Sequence, residues 1–389
     1  MMAADDRGYV GTLSRWTALA FDDTPAALSD LRGMCEAAIA AGRPERAAVL
    51  AAQAVQWQIS DFASLAGLRE WSTWLVATRP DPAALEVHAA LIYCAGVIAA
   101  HQFLDAFDAP VREQLLPIET CLAHYRERVL VAREGALDAN ILVATAEHPA
   151  SWWSNTGDRA SVDQLSVVVD RTLGDPWLAP HVRARWLFWL GCIMMQNDQR
   201  APAEATWARA RVAAGDDKTW RWLEFHLNRV ALRPLLEDQR LDEAAPRLEA
   251  LKASIDPSRP LDLGDYHHLR GWHALLADEP RLAMQHYRLA LGAARAAGLP
   301  RHMAAVYDGG LAQSLVAMGE ELEALPILAA MPMVPGPRGE AQLACTLGIA
   351  RALHARRTGA PQYAQHLAGA LAAARDLGIL RFLRALPRH

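Results

Sequence analysis

The densest set of side chains able to do chemistry is Asp265, Tyr266, His267, His268, Arg270, Trp272 and His273. Several imidazoles in one short stretch raise the question of a metal, with His268 and either His273 or His267 as the ligands. A pair five apart is a poor helical chelate, because three or four positions are needed to share a face. The plainer reading is a polar helix whose histidines hydrogen-bond within a stack of helices. A second set is cationic. Arg185, Arg229 and Arg233 could form a strip suited to a carboxylate or phosphate, or could be ordinary arginines paired to Glu224 or Glu237. A third set is Glu147, His148, Asp158 and Asp163 around Trp152 and Trp153, residue types that serve acid–base catalysis but without a spacing that makes them partners.

No catalytic signature accompanies these sets. The sequence has no GxxxxGK[ST] phosphate loop, no GxGxxG after a strand, no HExxH and no GxSxG elbow. The expectation is a non-enzymatic protein with no cofactor and no metal; an enzyme with its site in 105–180 is the lesser alternative. Net charge is −5, with acids and bases interspersed, which implies no broad surface for nucleic acid. The basic run Arg381, Arg384, Arg388 and His389 suits a helix C-terminus and is too short to add much affinity for nucleic acid. The five cysteines, Cys35, Cys94, Cys121, Cys192 and Cys345, are scattered, which fits reduced thiols in a cytoplasmic protein. The start MMAADDRGYVG does not read as a secretory signal. The longest apolar run, Ala89–Ala100, is too short to span a bilayer, so a membrane role is not expected.

The elements that must hold these residues are helices. Ala and Leu dominate, β-branched residues are sparse and period-two alternation is rare. Residues 266–300 read as two helices folded back on each other, joined at Glu279-Pro280. Gly271 marks a thin place on the first helix; Ala283, Tyr287 and Ala290 share one face of the second. The same pattern appears at Gly191 with Ala203, Trp207 and Ala210, at Ala244, Leu248 and Leu251, at Ala324 and Leu328, and more weakly at Ala364, Ala368 and Leu371. The anchors Ala203, Ala244, Ala283, Ala324 and Ala364 are 41, 39, 41 and 40 residues apart. Ala47, Ala51 and Ala54 repeat the spacing near the start of the chain. Helices approach closely only where side chains are small, and one hairpin cannot bury its apolar stripe alone, so neighbouring hairpins must complete it.

This pattern resembles the tetratricopeptide repeat, whose plain form has a 34-residue period. The longer period here is similar to the repeat region of bacterial regulators of the maltose-activator type. Those regulators carry a separate ATPase and a DNA-binding domain, neither of which is visible in this sequence. The resemblance implies an all-α, right-handed α-solenoid in which the first helix of each hairpin lines a concave face. Such a face receives a protein segment, a peptide or a small-molecule inducer, and the alternative role is a ligand-sensing regulator acting with a separate DNA-binding or ATPase partner. Counted from Gly271 and its counterparts, the inward residues are Arg185 and Phe188; His226, Arg229 and Arg233; Asp265, His268 and Trp272; and Gln313.

Organisation follows as 1–104, weak hairpins; 105–180, an irregular helical stretch; and 181–389, the repeat array with a closing helix. Expected helices include Tyr9 to Phe21, one starting at Ser60-Asp61, Asp81 to Phe103, Val111–Arg133, Leu137–Ala146 and Ser161–Leu173, with 152–157 as a loop or helix start. Most tryptophans, among them Trp177, Trp186, Trp189, Trp207, Trp220 and Trp222, are expected in the core; Trp152 and Trp153 are the expected exceptions and join the candidate groove. The apolar closing helix, with Leu377, Ile379, Leu380, Phe382, Leu383 and Leu386, could dock on its own chain or on a second copy.

Overall fold

The computed structural model describes residues 24–103, 107, 109–130, 137–197, 199–215, 221–330 and 337–376. Among these the chain is helix and turn, with no strand. The expected first helix, Tyr9 to Phe21, and the closing helix with its basic run lie outside the described residues. Among the described residues no helix is long and apolar enough to cross a membrane. The chain divides into two compact units, Met1–Trp220 and Arg221–His389.

In the first unit α1 (Thr24–Ala40), α2 (Pro44–Asp61), α3 (Leu68–Val76) and α4 (Val87–Gln102) are followed by α5 (Ala109–Gln114) and α6 (Ile118–Leu130). Then come α7 (Ala139–Thr145), α8 (Glu147–Thr156), α9 (Arg159–Thr172), α10 (Pro180–Gln196) and α11 (Arg200–Ala214). Helix α2 is alanine-rich and buried on nearly every side, packed by α1, α3 and α4. Gly96 of α4 meets it at Ala52, where no side chain fits between the backbones. The 105–180 stretch does not stand apart: α4 packs on α6, α7 and α8, and α10 packs on α7 and α8.

Several boundaries differ from expectation for local reasons. No helix starts at Ser60; α2 runs through it and stops at Phe62, whose φ is 52°. Helix α4 starts at Val87 rather than at Asp81, because the Glu86 carboxylate accepts from the His88 and Ala89 amides as an N-cap. The expected helix from Val111 is broken before Pro117, giving α5 and α6. The 152–157 segment, read as a loop or helix start, is the C-terminal part of α8, closed by Gly157 in the left-handed region.

In the second unit α12 (Arg221–Glu237), α13 (Leu241–Ala253), α14 (Pro260–Leu276), α15 (Pro280–Ala296), α16 (Arg301–Met318), α17 (Glu321–Ala330), α18 (Pro337–Thr358) and α19 (Tyr363–Asp376) pack as successive hairpins. Successive hairpins also touch one another, as α13 touches α14 and α15 touches α16. That arrangement is consistent with a helical-repeat fold. The anchors Ala203, Ala244, Ala283 and Ala324 are all fully buried.

The repeat is written in the turns as well. Gln239, Asp278, Gly319 and Gly359 all have φ between 55° and 85°, and they stand 39, 41 and 40 residues apart. After each, the next amide reaches back to a carbonyl five residues earlier: Arg240 to Leu235, Glu279 to Ala274, Glu320 to Leu315 and Ala360 to Ala355, at 2.8–2.9 Å. This is a Schellman closure, which satisfies the orphan carbonyls of the first helix while reversing the chain. Gly42 with Arg43 and Ala38 makes the same closure in the first unit.

The last hairpin corrects the sequence reading. Ala364, Ala368 and Leu371 are exposed; Ala370 and Ala374 are buried, with Tyr363 and Leu367 partly buried beside them. After the other closures the second helix begins two residues past the left-handed residue, whereas here Pro361 and Gln362 stay in the turn and α19 starts at Tyr363. The buried stripe is therefore displaced by one position.

Packing across hairpins is tightest at Tyr287, whose ring lies between α14 and α16. A Cβ at Gly310 would fall 2.1 Å from Tyr287 Cζ, and one at Gly271 would fall 3.0 Å from its Cε2. Trp207 fills the same role against Gly191, where a Cβ would lie 2.4 Å from the indole nitrogen. Gly310→Ala should therefore destabilise the protein by about 1–3 kcal/mol through overpacking. Gly292→Ala, at an exposed helical site with open space around it, should stabilise by about 0.5–1 kcal/mol. Urea unfolding of the two variants checks this pair, and equal effects would show that Tyr287 is not held between glycines.

Candidate functional site

The positions expected to face inward in the second unit fall on α12, α14 and α16. On α14, Asp262, Asp265, His268 and Trp272 follow at spacings of three, three and four, so they form one stripe. On α12, Arg229 and Arg233 share a face one turn apart. The structure joins the two helices through an ion pair between Arg229 and Asp265. The Tyr307 hydroxyl of α16 donates to the other Asp265 oxygen at 3.0 Å. Asp265 thus links three first helices in a row.

Each neighbouring charge is also matched. Arg233 Nε donates to Glu237 at 2.9 Å, one turn along α12, which is one of the two pairings that the spacing allowed. Arg259 Nε donates to Asp262 at 2.7 Å. Asp262 also lies 3.7 Å from His226 Nε2. Burial pushes Asp262 up to about 6, and the Arg259 guanidinium only partly offsets that. His226 is buried between Trp222 and Phe225, with ring centroids at 4.7 and 5.3 Å.

His268 is partly exposed at its residue surface, but its ring is enclosed. Its centroid lies 5.3 Å from Tyr307, 5.9 Å from Tyr287 and 6.3 Å from Trp272, the last in a stacked orientation. Burial pulls its pKa down to about 4, with Asp265 opposing and Arg233 and Arg229 adding to the effect. The imidazole is therefore neutral at pH 7. Trp272 is partly buried beside it, as is Arg233, whose side chain is 42% exposed. Gln313 is partly buried on α16, six positions after Tyr307, a spacing that does not share a helical face.

The arginines therefore do not form an unopposed cationic strip, since Arg229 and Arg233 each sit against a carboxylate. Arg185 belongs to the first unit and is buried, with its Nε donating to Glu147 at 3.0 Å. Phe188, one turn on, is fully buried rather than inward-facing, and its carbonyl accepts from the Trp207 indole at 3.1 Å.

The acid–base set splits. Glu147 and His148 lie together in the interior, around Ser60 of α2. The Ser60 hydroxyl stands 3.2 Å from Glu147 Oε2 and 3.3 Å from His148 Nε2. Gln102 donates to the His148 carbonyl at 3.1 Å. Asp158 is elsewhere, capping α9 by accepting from Ser161 and holding Arg126. Asp163 is exposed. A serine beside a histidine and a carboxylate is a familiar catalytic trio, but here the carboxylate meets the serine and all three groups are closed off from solvent.

Trp153, expected to be exposed, is buried, with Tyr125 edge-on at 6.5 Å and the Arg126 guanidinium 5.2 Å over its ring. Trp152 is partly buried. Trp177, expected in the core, is 84% exposed, and Trp220 lies outside the described residues. Trp177 sits in the turn before α10, where its carbonyl accepts from Asn140.

The histidine pairs weighed as metal ligands each turn elsewhere. His273 Nε2 lies 3.3 Å from the Leu241 carbonyl, and His267 turns to His286 on α15. Among the described residues no group of three or more metal-ligating side chains converges. Ser60, Arg259, Asp262, Tyr307 and His286 were missed by the reading of the sequence. Tyr307 could have been found, because it stands 41 residues after Tyr266, one repeat on. Ser60 carries no such signal, since it lies 87 residues from Glu147.

No model of a protein family matches the chain, and no curated protein is significantly similar to it.

The His148 environment has a consequence for stability. Burial lowers its pKa from 6.5 to about 4, with Glu147 opposing and Arg185 reinforcing. The unfolded chain takes up a proton below pH 6.5 that the folded chain refuses until about pH 4. His148 thus contributes stability above pH 6.5 that is lost between those limits, about 3 kcal/mol in all. Comparison of urea unfolding in wild type and His148→Gln across pH 7 to 4 should show a flatter profile in the variant. Parallel profiles would mean that His148 does not titrate in this way.

Proposed function

We propose that the chain is a non-enzymatic, tetratricopeptide-like binding module. In this reading the first-helix face of the second unit holds a protein segment, a peptide or a small ligand. The observation that carries the reading is the Arg229, Arg233, Asp265, His268 and Trp272 stripe. Its charges are already satisfied internally, and four of its members remain partly open to solvent. A surface of this kind favours a neutral, hydrogen-bonding chain with an apolar side group over a free anion. Trp272 supplies a flat apolar contact, and the outer guanidinium of Arg233 can donate to a backbone carbonyl.

A binding role is favoured over catalysis because the Ser60, His148 and Glu147 grouping is sealed in the interior. Peptides selected on immobilised wild-type protein from a random displayed library should lose at least tenfold in affinity for Trp272→Ala. They should lose less for Arg233→Gln, and nothing for Leu322→Ala, an exposed site on α17. Both test residues are partly exposed, so the fold should survive, and circular dichroism verifies it. Selected peptides that bind Trp272→Ala as well as wild type would reject this face as the site.

A further inference from the structure

The first helix of one hairpin and the second helix of the same hairpin present two imidazoles to each other. His267 on α14 and His286 on α15 have their Nδ1 atoms 2.9 Å apart, with ring planes inclined by 34°. Both residues are partly buried, so the pair is shielded without being sealed. Two facing Nδ1 atoms serve each other only when one carries the proton and the other does not. They serve a cation equally well when neither does.

We propose that His267 and His286 form a two-imidazole clamp for a late first-row divalent cation, Ni2+ or Cu2+. The spacing selects the ion class. Two nitrogens 2.9 Å apart, each at the usual metal–nitrogen distance of about 2.05 Å, subtend about 90° at the metal. That is the cis angle of a square-planar or octahedral ion, narrower than the tetrahedral angle that zinc favours. Water completes the remaining positions on the solvent side. The ring centroids lie 5.1 Å apart, so the nitrogens face nearly head-on and both rings must turn well away from that line before their lone pairs converge, a motion that partly exposed histidines allow. Lys252 and Arg270 repel the dication, and only two protein ligands hold it, so binding is expected to be weaker than at a site with three or four protein ligands. The clamp would join the two helices of one hairpin, a spacing that the i, i+4 rule for a single helix does not reveal.

Equilibrium dialysis of tag-free protein against Ni2+ alone tests this. One equivalent should bind, with at least a tenfold weaker constant in His286→Gln and in His267→Gln and no change in His366→Gln. Circular dichroism confirms that each variant is folded. Substoichiometric Cu2+ added to wild type should broaden the ring-proton resonances of His267 and His286 before those of other histidines, a readout that needs no variant. The proposal is overturned if no saturable equivalent binds, if binding survives in His286→Gln, or if Cu2+ broadens other histidines first.

Discussion

The structure depends on how closely two helices can approach. Where Gly271 and Gly310 remove side chains from α14 and α16, the Tyr287 ring of α15 lies flat between them. Gly191 admits Trp207 in the same way, and Gly348 admits Ala370 of α19. A large residue facing a missing one fills volume without forcing the backbones apart, which is how interiors reach close packing. The left-handed residues at 239, 278, 319 and 359 then set where each helix ends, so the thin place of one helix meets the bulky place of the next. Packing and turn geometry carry the same period, and neither alone would place the rings.

Charge is arranged to the same end. Asp265 receives Arg229 from the preceding first helix and Tyr307 from the following one. Glu147 receives Arg185 and Ser60 from two other helices in the first unit. Buried ion pairs of this sort add little net stability, because desolvation offsets most of the attraction. Breaking one strands a charge in the interior, however, so they disfavour any other order of the same hairpins. In the proposed binding role the partly exposed members, Arg229, Arg233, His268 and Trp272, are the ones left to meet a partner.

Much of the packing was legible because it obeys a local rule. Small residues about forty positions apart mark helix crossings wherever they occur, and Ala203, Ala244, Ala283 and Ala324 are buried as that rule requires. The Arg233–Glu237 pair was legible for the same reason, since four positions along a helix is a fixed geometry. The rule failed at Ala364, where the buried stripe lies one position earlier. Phe188, counted as inward, is buried in the core, and Trp153 is buried because its segment is helix rather than loop. The left-handed residues Gln239 and Asp278 were not legible either, since only glycine announces that conformation in a sequence.

By itself the sequence determined the helical class, the forty-residue period and the small-against-large pairing, because all three follow from side-chain size and helical periodicity within one segment. Tertiary structure alone decided that Ser60 meets Glu147, that Tyr307 and Arg229 share Asp265, and that His267 turns from its neighbours to His286. Those contacts join residues 19 to 87 positions apart. They are set by the angle and register at which whole helices stack, and that depends on the sum of many packing contacts rather than on any spacing along the chain.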